Sequence, residues 1–192
     1  GGGMVTESYV TGTVAGQNWG ADRLRGKGAH QGVDFDVSSD QQAQSFIGGK
    51  ITRVGNDPGG YGHYVDIYNA QLNVVERIAE VATLTAKLGD VIAPGGSIGY
   101  GESGTGVFHY EVHNQKINAE GQASFNDRSA TVDPLKFYEG LGLIKMDGGK
   151  VTVIGGMPTG TTATASTSTA PPQLKQEKPK VIPGGATFYQ FP

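Results

Sequence analysis

The chain has 192 residues and a formal net charge of -3, which suits one domain with a tail or a single large all-β domain. This charge balance gives no electrostatic reason to expect nucleic-acid binding, and no apolar run approaches the roughly 18 residues of a membrane span. The chain has no Cys, which excludes disulfides and thiolate metal ligands.

Glycine is the most informative part of the composition. It accounts for 32 residues, many of them beside short β-branched or aromatic runs. This pattern favours strands joined by tight turns over long helices. We therefore predict an all-β fold with a Gly-rich antiparallel sheet or sandwich. Residues 1–9 lack the basic and apolar segments of a signal peptide, and we interpret them as an N-terminal extension or a remnant of cloning.

Strands are predicted from position 33 onward. Residues 33–37 alternate apolar and polar side chains, which is the pattern of a half-buried strand. Residues 45–54 are predicted to form a hairpin that turns at Gly48 and Gly49, and residues 73–81 could form a strand or a helix. Further strands are predicted at residues 64–68, 90–100 and 107–113, followed by a long loop over residues 114–131.

The composition changes near the C-terminus. Residues 155–170 are almost entirely Gly, Thr, Ser, Ala and Pro, and they cannot bury enough apolar area to offset their ordering entropy. We place the folded domain at residues 10–145 and a linker with an aromatic C-terminal tail at residues 146–192. The tail could dock on the domain or join it to a larger assembly through Phe188, Tyr189 and Phe191.

Two histidines and one aspartate form a candidate metal site. His30 and Asp34 lie four residues apart around Gly32, and this spacing favours a bend into a strand where both side chains could converge. His109 lies in the last predicted core strand, on the face opposite the apolar residues of that strand. Two imidazoles and a carboxylate suit a divalent metal with one open position, as in catalytic rather than structural zinc sites.

The same residues allow other interpretations. A His–Asp pair commonly forms a hydrogen bond without a metal, and two His with a carboxylate also form the ligand set of non-haem iron enzymes. Glu111 and His113 share the face of His109, and we expect them behind the ligands or at the surface. His63 is expected to be a loop residue that could still reach the site from behind the ligands.

The sequence resembles the lysostaphin-type (LytM-like) zinc endopeptidases, which cut peptidoglycan peptides. Residues 30–34 fit the family's His-x-Gly-x-Asp motif, and ordered matches run from about residue 10 to residue 138. They include the Gly-rich loop and strand at residues 60–67 and the closing Val-Asp-Pro at residues 132–134. The resemblance implies a Gly-rich antiparallel β fold with a central groove, and zinc held by His30, Asp34 and His109.

Two positions depart from the family's pattern. The family's last motif reads Ser-Thr-Gly-Pro-His-x-His-Phe-Glu, and Val107 stands where its first histidine is expected. In the family, the histidine of a Tyr-x-His-Leu segment lies nine residues before a Gly, and counting back nine residues from Gly89 puts Glu80 in the place of that histidine. The resemblance assigns these two histidines to positioning the attacking water and stabilising the oxyanion.

These two replacements determine how much catalytic activity we expect. A carboxylate beside zinc can act as a general base, which makes Glu80 the candidate catalytic residue, whereas Val107 cannot donate a hydrogen bond. We predict a peptidoglycan-directed, zinc-dependent peptidase-like domain that keeps its metal ligands and has weak or absent activity. The alternative is a catalytically silent zinc-containing module whose groove binds wall peptides or a partner protein. Either would work outside the cytoplasm, at the cell wall or in a phage tail.

Overall fold

The computed structural model describes residues 7–9, 19–21, 29–36, 41–101, 107–154, 180–182 and 186–188. The first strands are β1 (Glu7–Tyr9), β2 (Val33–Asp36), β3 (Gln42–Gln44), β4 (Gly49–Asp57), β5 (Gly62–Asn69), β6 (Val74–Ala79), β7 (Thr83–Leu84), β8 (Val91–Ile92) and β9 (Ser97–Tyr100). They are followed by β10 (Val107–His113), the 3-10 helix Arg128–Ala130, β11 (Thr131–Val132), helix α1 (Pro134–Gly140), β12 (Ile144–Asp147), β13 (Lys150–Val153), β14 (Lys180–Ile182) and β15 (Ala186–Phe188). The predicted all-β fold is confirmed. Among the described residues, no helix is long and apolar enough to cross a membrane.

A curled antiparallel sheet forms the centre of the fold. It has seven strands, in the order β11-β10-β6-β5-β4-β8, and β2 also pairs with β10. The first half of β10 pairs with β2, whereas its last two residues pair with β11. A second sheet has the order β3-β9-β7, and a third has the order β1-β13-β12. The central position of β10 lets one strand serve both the core and the candidate site.

Strand β10 separates its apolar and polar side chains as predicted. Phe108, Tyr110 and Val112 are buried in the main hydrophobic core, because successive residues of a strand point to opposite faces. The ring of Tyr110 meets that of Phe35 on β2 edge-on, with 5.2 Å between their centroids. The opposite face of β10 carries His109, Glu111 and His113, so the core on one face fixes the position of the polar residues on the other.

The predicted hairpin at residues 45–54 is wrong. The N–H of Ser45 donates to the carbonyl of Gly96 at 2.9 Å, while β4 pairs with β5 and β8 instead of with the segment before it. The glycine at position 49 serves a different purpose from a hairpin turn. A Cβ on Gly49 would lie 2.3 Å from the carbonyl oxygen of Tyr68, so a glycine is needed where two strands approach closely.

Two other predicted segments form strands, and the structure shows which strands they pair with. The segment at residues 73–81, for which strand and helix were both open, forms β6 in the middle of the central sheet. The strands predicted within residues 90–100 form β8 and β9, but β8 joins the central sheet and β9 joins the second one. A local turn signal therefore marked where the chain reverses without showing which strands would pair.

The ends of the chain contribute strands as well. The hairpin of β12 and β13 extends past residue 145, where we placed the end of the domain, and β13 pairs with β1 within the predicted N-terminal extension. Val151 of β13 is fully buried. Most of the predicted linker, together with Tyr189 and Phe191, lies outside the described residues, and β14 pairs with β15.

Strand β6 carries a buried carboxylate into the core. Glu76 is fully buried, and its carboxylate accepts hydrogen bonds from the Ser45 hydroxyl at 2.7 Å, the Phe46 N–H at 3.2 Å and the Tyr138 hydroxyl. Burial raises the pKa of Glu76 to about 7, although these three hydrogen bonds act in the opposite direction. The carboxylate links β6 to the segment after β3 and to α1.

This raised pKa predicts a pH-dependent stability. A carboxyl group whose pKa is higher in the folded protein than in the unfolded chain contributes most stability below the unfolded value of 4.5 and loses it as the pH rises through about 7. The contribution to the free energy of unfolding should fall by about 3 kcal/mol over this range. Urea unfolding of Glu76→Gln should show a smaller loss of stability with rising pH than the parent protein. Glu139→Gln, at an exposed position on α1, is the control, and equal pH dependence of Glu76→Gln and the parent would contradict the prediction.

Candidate metal centre

The three predicted ligands converge beside the start of β2 and the middle of β10. His109 lies opposite Asp34 in the β2–β10 pairing, and its Nδ1 is 2.8 Å from Asp34 Oδ1. The Nε2 of His30 is 3.7 Å from the same oxygen. One candidate ligand atom from each residue lies within 4.8 Å of the others. Pairing of β2 with β10 therefore brings together residues that are far apart in the sequence.

Gly32 lets the chain between His30 and Asp34 lie close against β10. A Cβ at position 32 would lie 2.4 Å from the carbonyl oxygen of Tyr110 and 2.7 Å from a ring carbon of His109. Real Cβ atoms do not make such contacts, so this position requires a glycine for close backbone approach. The glycine of the His-x-Gly-x-Asp motif thus leaves room for the imidazole of His109.

A buried carboxylate orients His109 from behind. Glu111 Oε2 is 2.8 Å from His109 Nε2, and Glu111 Oε1 is 2.7 Å from His113 Nε2. The side-chain amide of Gln31 also donates to Glu111 Oε2 at 2.9 Å. Because Nε2 of His109 faces Glu111, its Nδ1 is the nitrogen that faces Asp34. A carboxylate that accepts the N–H of a metal-binding histidine fixes its tautomer and raises its basicity.

The charges in this cluster depend on one another. Burial would raise the pKa of Glu111, but its hydrogen bonds to His109 and His113 outweigh burial and hold that pKa well below the usual range. Burial would likewise lower the pKa of His109, whereas hydrogen bonds to Asp34 and Glu111 and the charges of these carboxylates raise it to about 9. Without a metal, His109 is therefore an imidazolium between two carboxylates.

Arg77 supplies a permanent positive charge behind Glu111. Its guanidinium is fully buried and makes two hydrogen bonds to the carboxylate of Asp66, at 2.7 and 3.0 Å. The Nη1 atom lies 3.6 Å from Glu111 Oε1. The guanidinium carbon is also 5.0 Å from the centre of the Tyr61 ring and 4.4 Å from that of Phe125. This arrangement compensates two buried carboxylates with one buried cation.

The donor set fits a single divalent metal. Two imidazole nitrogens and one carboxylate oxygen are the protein ligands of many catalytic zinc sites, which keep a further position open. The same donors also suit ferrous iron, so they do not select zinc by themselves. The carboxylate of Glu111 provides the supporting hydrogen bond that metal-binding histidines usually have.

A cavity of about 430 Å³ opens over these residues. Besides Asp34 and His109, its polar lining includes Gln31, Asp57, Tyr61, Glu80, Asn126 and Arg128. Burial, followed by the charge of Glu111, raises the pKa of Tyr61 to about 12, which keeps its hydroxyl neutral. Glu80 lies just after β6 with a φ of +59°, an uncommon conformation for a residue other than glycine, and its N–H donates to the carbonyl of Tyr61 at 2.8 Å.

The remaining predicted residues occupy different positions. His113 is fully buried behind Glu111, whereas His63 is exposed on β5 and lies outside the described lining of the cavity. Val107 is half-buried at the start of β10, opposite Asp36. The sequence interpretation missed Tyr61, Arg77 and Arg128. The signal for Arg77 was a charged pair, Glu-Arg, inside the otherwise apolar strand β6.

Comparison with solved structures identifies the fold. The catalytic domain of the antimicrobial peptidase lysostaphin from Staphylococcus simulans matches with a TM-score of 0.53 and 22% identity, over 65% of this chain and 90% of that domain. LytU matches with a TM-score of 0.55 and 21% identity, over 69% of this chain and 86% of that structure. CbpA from L. salivarius REN matches with a TM-score of 0.52 and 22% identity, over 67% of this chain and 88% of that structure.

Sequence comparison adds no further relative, since no family model and no curated protein matches the chain. The structural matches have less than 25% identity, so they establish the architecture and leave the chemistry to be argued from the residues of the site. The resemblance noted in the sequence is confirmed at this level: the chain has the fold of the lysostaphin-type (LytM-like) peptidase domains.

Proposed function

We propose that this domain binds one zinc ion and acts on or binds peptidoglycan peptides in the cavity, with weak or absent hydrolysis. The observation that carries the proposal is the convergence of His30, Asp34 and His109, of which Asp34 and His109 line that cavity. Their position in a lysostaphin-type fold supports a peptide of the bacterial cell wall as the ligand, and a location outside the cytoplasm, at the wall or in a phage virion.

Three residues would bind the metal, and two others orient one of these ligands. His30, Asp34 and His109 would hold the ion, and a bound zinc ion would supply Lewis-acid activation of a peptide carbonyl and of water. Glu111 keeps Nε2 of His109 engaged, so that Nδ1 remains directed at the metal position. Gln31 adds a second hydrogen bond to the same carboxylate oxygen, which holds Glu111 in place.

Weak hydrolysis follows from the two replaced positions. Glu80 lines the cavity and could accept a proton from water, as carboxylates do in other zinc peptidases. Val107 has no hydrogen to donate to a developing oxyanion, and losing one such donor typically lowers the rate by about 10²–10³. The catalytically silent alternative keeps the same metal site and uses the cavity to bind a wall peptide or a partner protein.

Metal analysis tests the ligand assignment. His109→Ala should reduce the bound zinc from one ion per chain to little or none, and should lower the melting temperature by several degrees. Metal binding adds about 2.7 kcal/mol to the free energy of unfolding when free metal is about 100 times Kd. Elemental analysis of protein reconstituted separately with zinc and with ferrous iron would also separate the two candidate metals. His63→Ala, which removes an exposed histidine from β5, is the matched control, and unchanged metal content in His109→Ala would refute the assignment.

A further inference from the structure

Arg128 is an exposed cation on the wall of the cavity. The other two arginines in the described part of the chain, Arg53 and Arg77, form ion pairs with Asp66. No carboxylate of a described residue lies within ion-pair distance of Arg128. An arginine that faces a cavity without such a partner can bind an anionic group of a ligand at little desolvation cost.

The guanidinium of Arg128 is held in position by an aromatic side chain. Its central carbon lies 4.1 Å from the centre of the Trp19 ring. The indole N–H of Trp19 donates to the Thr131 hydroxyl at 2.9 Å, and that hydroxyl donates to the carbonyl of Arg128 at 2.7 Å. The glycine at position 20 leaves room for the guanidinium, because a Cβ there would lie 3.2 Å from Nη2 of Arg128. The cation is therefore pre-organised, which reduces the entropy lost on binding.

We propose that Arg128, supported by Trp19, binds a carboxylate of the peptide that occupies the cavity. This inference rests on the proposed function, since it assumes a wall peptide as the ligand. A guanidinium offers paired N–H groups whose spacing matches the two oxygens of a carboxylate. The inference narrows the ligand to a peptide with at least one free carboxylate, and it gives Arg128 the role of a specificity-determining residue.

Three of the four acidic residues that line the cavity, Asp34, Asp57 and Glu111, make contacts that are compatible with this role. Asp34 and Glu111 both contact His109, and a zinc ion held by Asp34 and His109 would offset the charge of these carboxylates. Asp57 accepts the N–H of Tyr61 at 3.1 Å. These contacts leave Arg128 as the position on the described wall where a peptide carboxylate meets a positive charge.

A peptide can supply the carboxylate from its C-terminus or from an acidic residue within the chain, such as a γ-linked D-glutamate, whose α-carboxylate is free. The probe is the tetrapeptide L-Ala-γ-D-Glu-L-Lys-D-Ala, compared with its C-terminal amide, with the form in which D-isoglutamine replaces D-glutamate, and with the form that carries both changes. Trp19 is the only tryptophan of the chain, so its fluorescence reports ligand binding next to Arg128. The zinc-loaded full chain is titrated with each peptide.

We expect the form without either carboxylate to bind at least about tenfold more weakly than the parent peptide, because a charge-assisted pair is lost. The single change that reproduces this loss identifies the carboxylate that Arg128 binds. Arg128→Gln should bind all four peptides with similar affinity, and Arg128→Lys should retain part of the preference. Lys136→Gln, which removes an exposed charge from α1, should keep the full preference.

Equal binding of the four peptides by the parent protein, no binding of any of them, or a full preference in Arg128→Gln would each overturn the proposal. Zinc content is measured in the same samples. Normal zinc binding without a carboxylate preference would reject the role of Arg128 and leave the metal site intact. Absence of zinc in reconstituted parent protein would instead reject the proposed function.

Discussion

Replacing Arg77 with Met should lower the free energy of unfolding by about 3–5 kcal/mol. The substitution keeps much of the side-chain volume but removes the buried charge that lies between Asp66 and Glu111. Both carboxylates are fully buried, and an uncompensated charge in such surroundings is strongly destabilising. The measurement is urea denaturation, in which the midpoint should fall without a large change in the slope.

Arg53 provides a matched control for this experiment. It also faces Asp66, at 3.7 Å, but its side chain is 19% exposed and can exchange protein contacts for water. Arg53→Met should therefore have a much smaller effect, since ion pairs open to solvent contribute little. Adding Asp66→Asn to Arg77→Met should recover part of the lost stability, because it removes the buried carboxylate that loses both guanidinium hydrogen bonds. If Arg77→Met were no more destabilising than Arg53→Met, the central role given to the buried charge would be wrong.

Introducing histidine at positions 80 and 107 together should raise peptidoglycan hydrolysis by about 10²-fold or more, since each restored group is typically worth about 10²–10³ in rate. Glu80 already lies on the cavity wall, and position 107 precedes His109 by two residues on the same face of β10. The pair would supply a proton acceptor for the attacking water and a donor to the oxyanion. Each single substitution should do much less, because groups that act in one step are not additive.

The same double substitution in the His109→Ala background is the control, and it should give no gain if the effect depends on the metal site. Release of soluble peptides from purified cell walls is the measurement. If the parent protein already turns over with a kcat of about 1 per second or more, the prediction of weak activity fails. In that event Glu80→Gln should abolish turnover while zinc content stays unchanged, which would identify Glu80 as the general base.

The parts of the site that follow from local geometry were predictable from the sequence. Successive residues of a strand alternate between faces, so the apolar residues of β10 placed His109 on the opposite side together with Glu111. The spacing of His30 and Asp34 around Gly32 indicated a bend into a strand where both side chains could converge. These inferences required no knowledge of which strands are neighbours, whereas the close approach of His109 to Gly32 depends on the pairing of β2 with β10.

Contacts between distant segments could not be obtained in this way. Arg77 meets Asp66 because β5 and β6 are adjacent, and Tyr61 and Arg128 meet at the cavity because the long loop after β10 folds back over the sheet. The erroneous hairpin has the same origin. The pair Gly48 and Gly49 gives a turn signal in sequence, but the close approach to the backbone of Tyr68 exists only in the folded sheet.

The adjacent opposite charges of β6 also have a consequence for folding. Glu76 faces Ser45 and Tyr138 on one side of the strand, while Arg77 faces Asp66 on the other. A slip of one residue in the pairing of β6 would exchange the two faces. It would bring a carboxylate to the side that already holds Asp66 and Glu111, and a guanidinium into the apolar core. Misaligned pairings of this central strand are therefore penalised more than in a purely apolar strand, and these two buried polar side chains favour the native alignment.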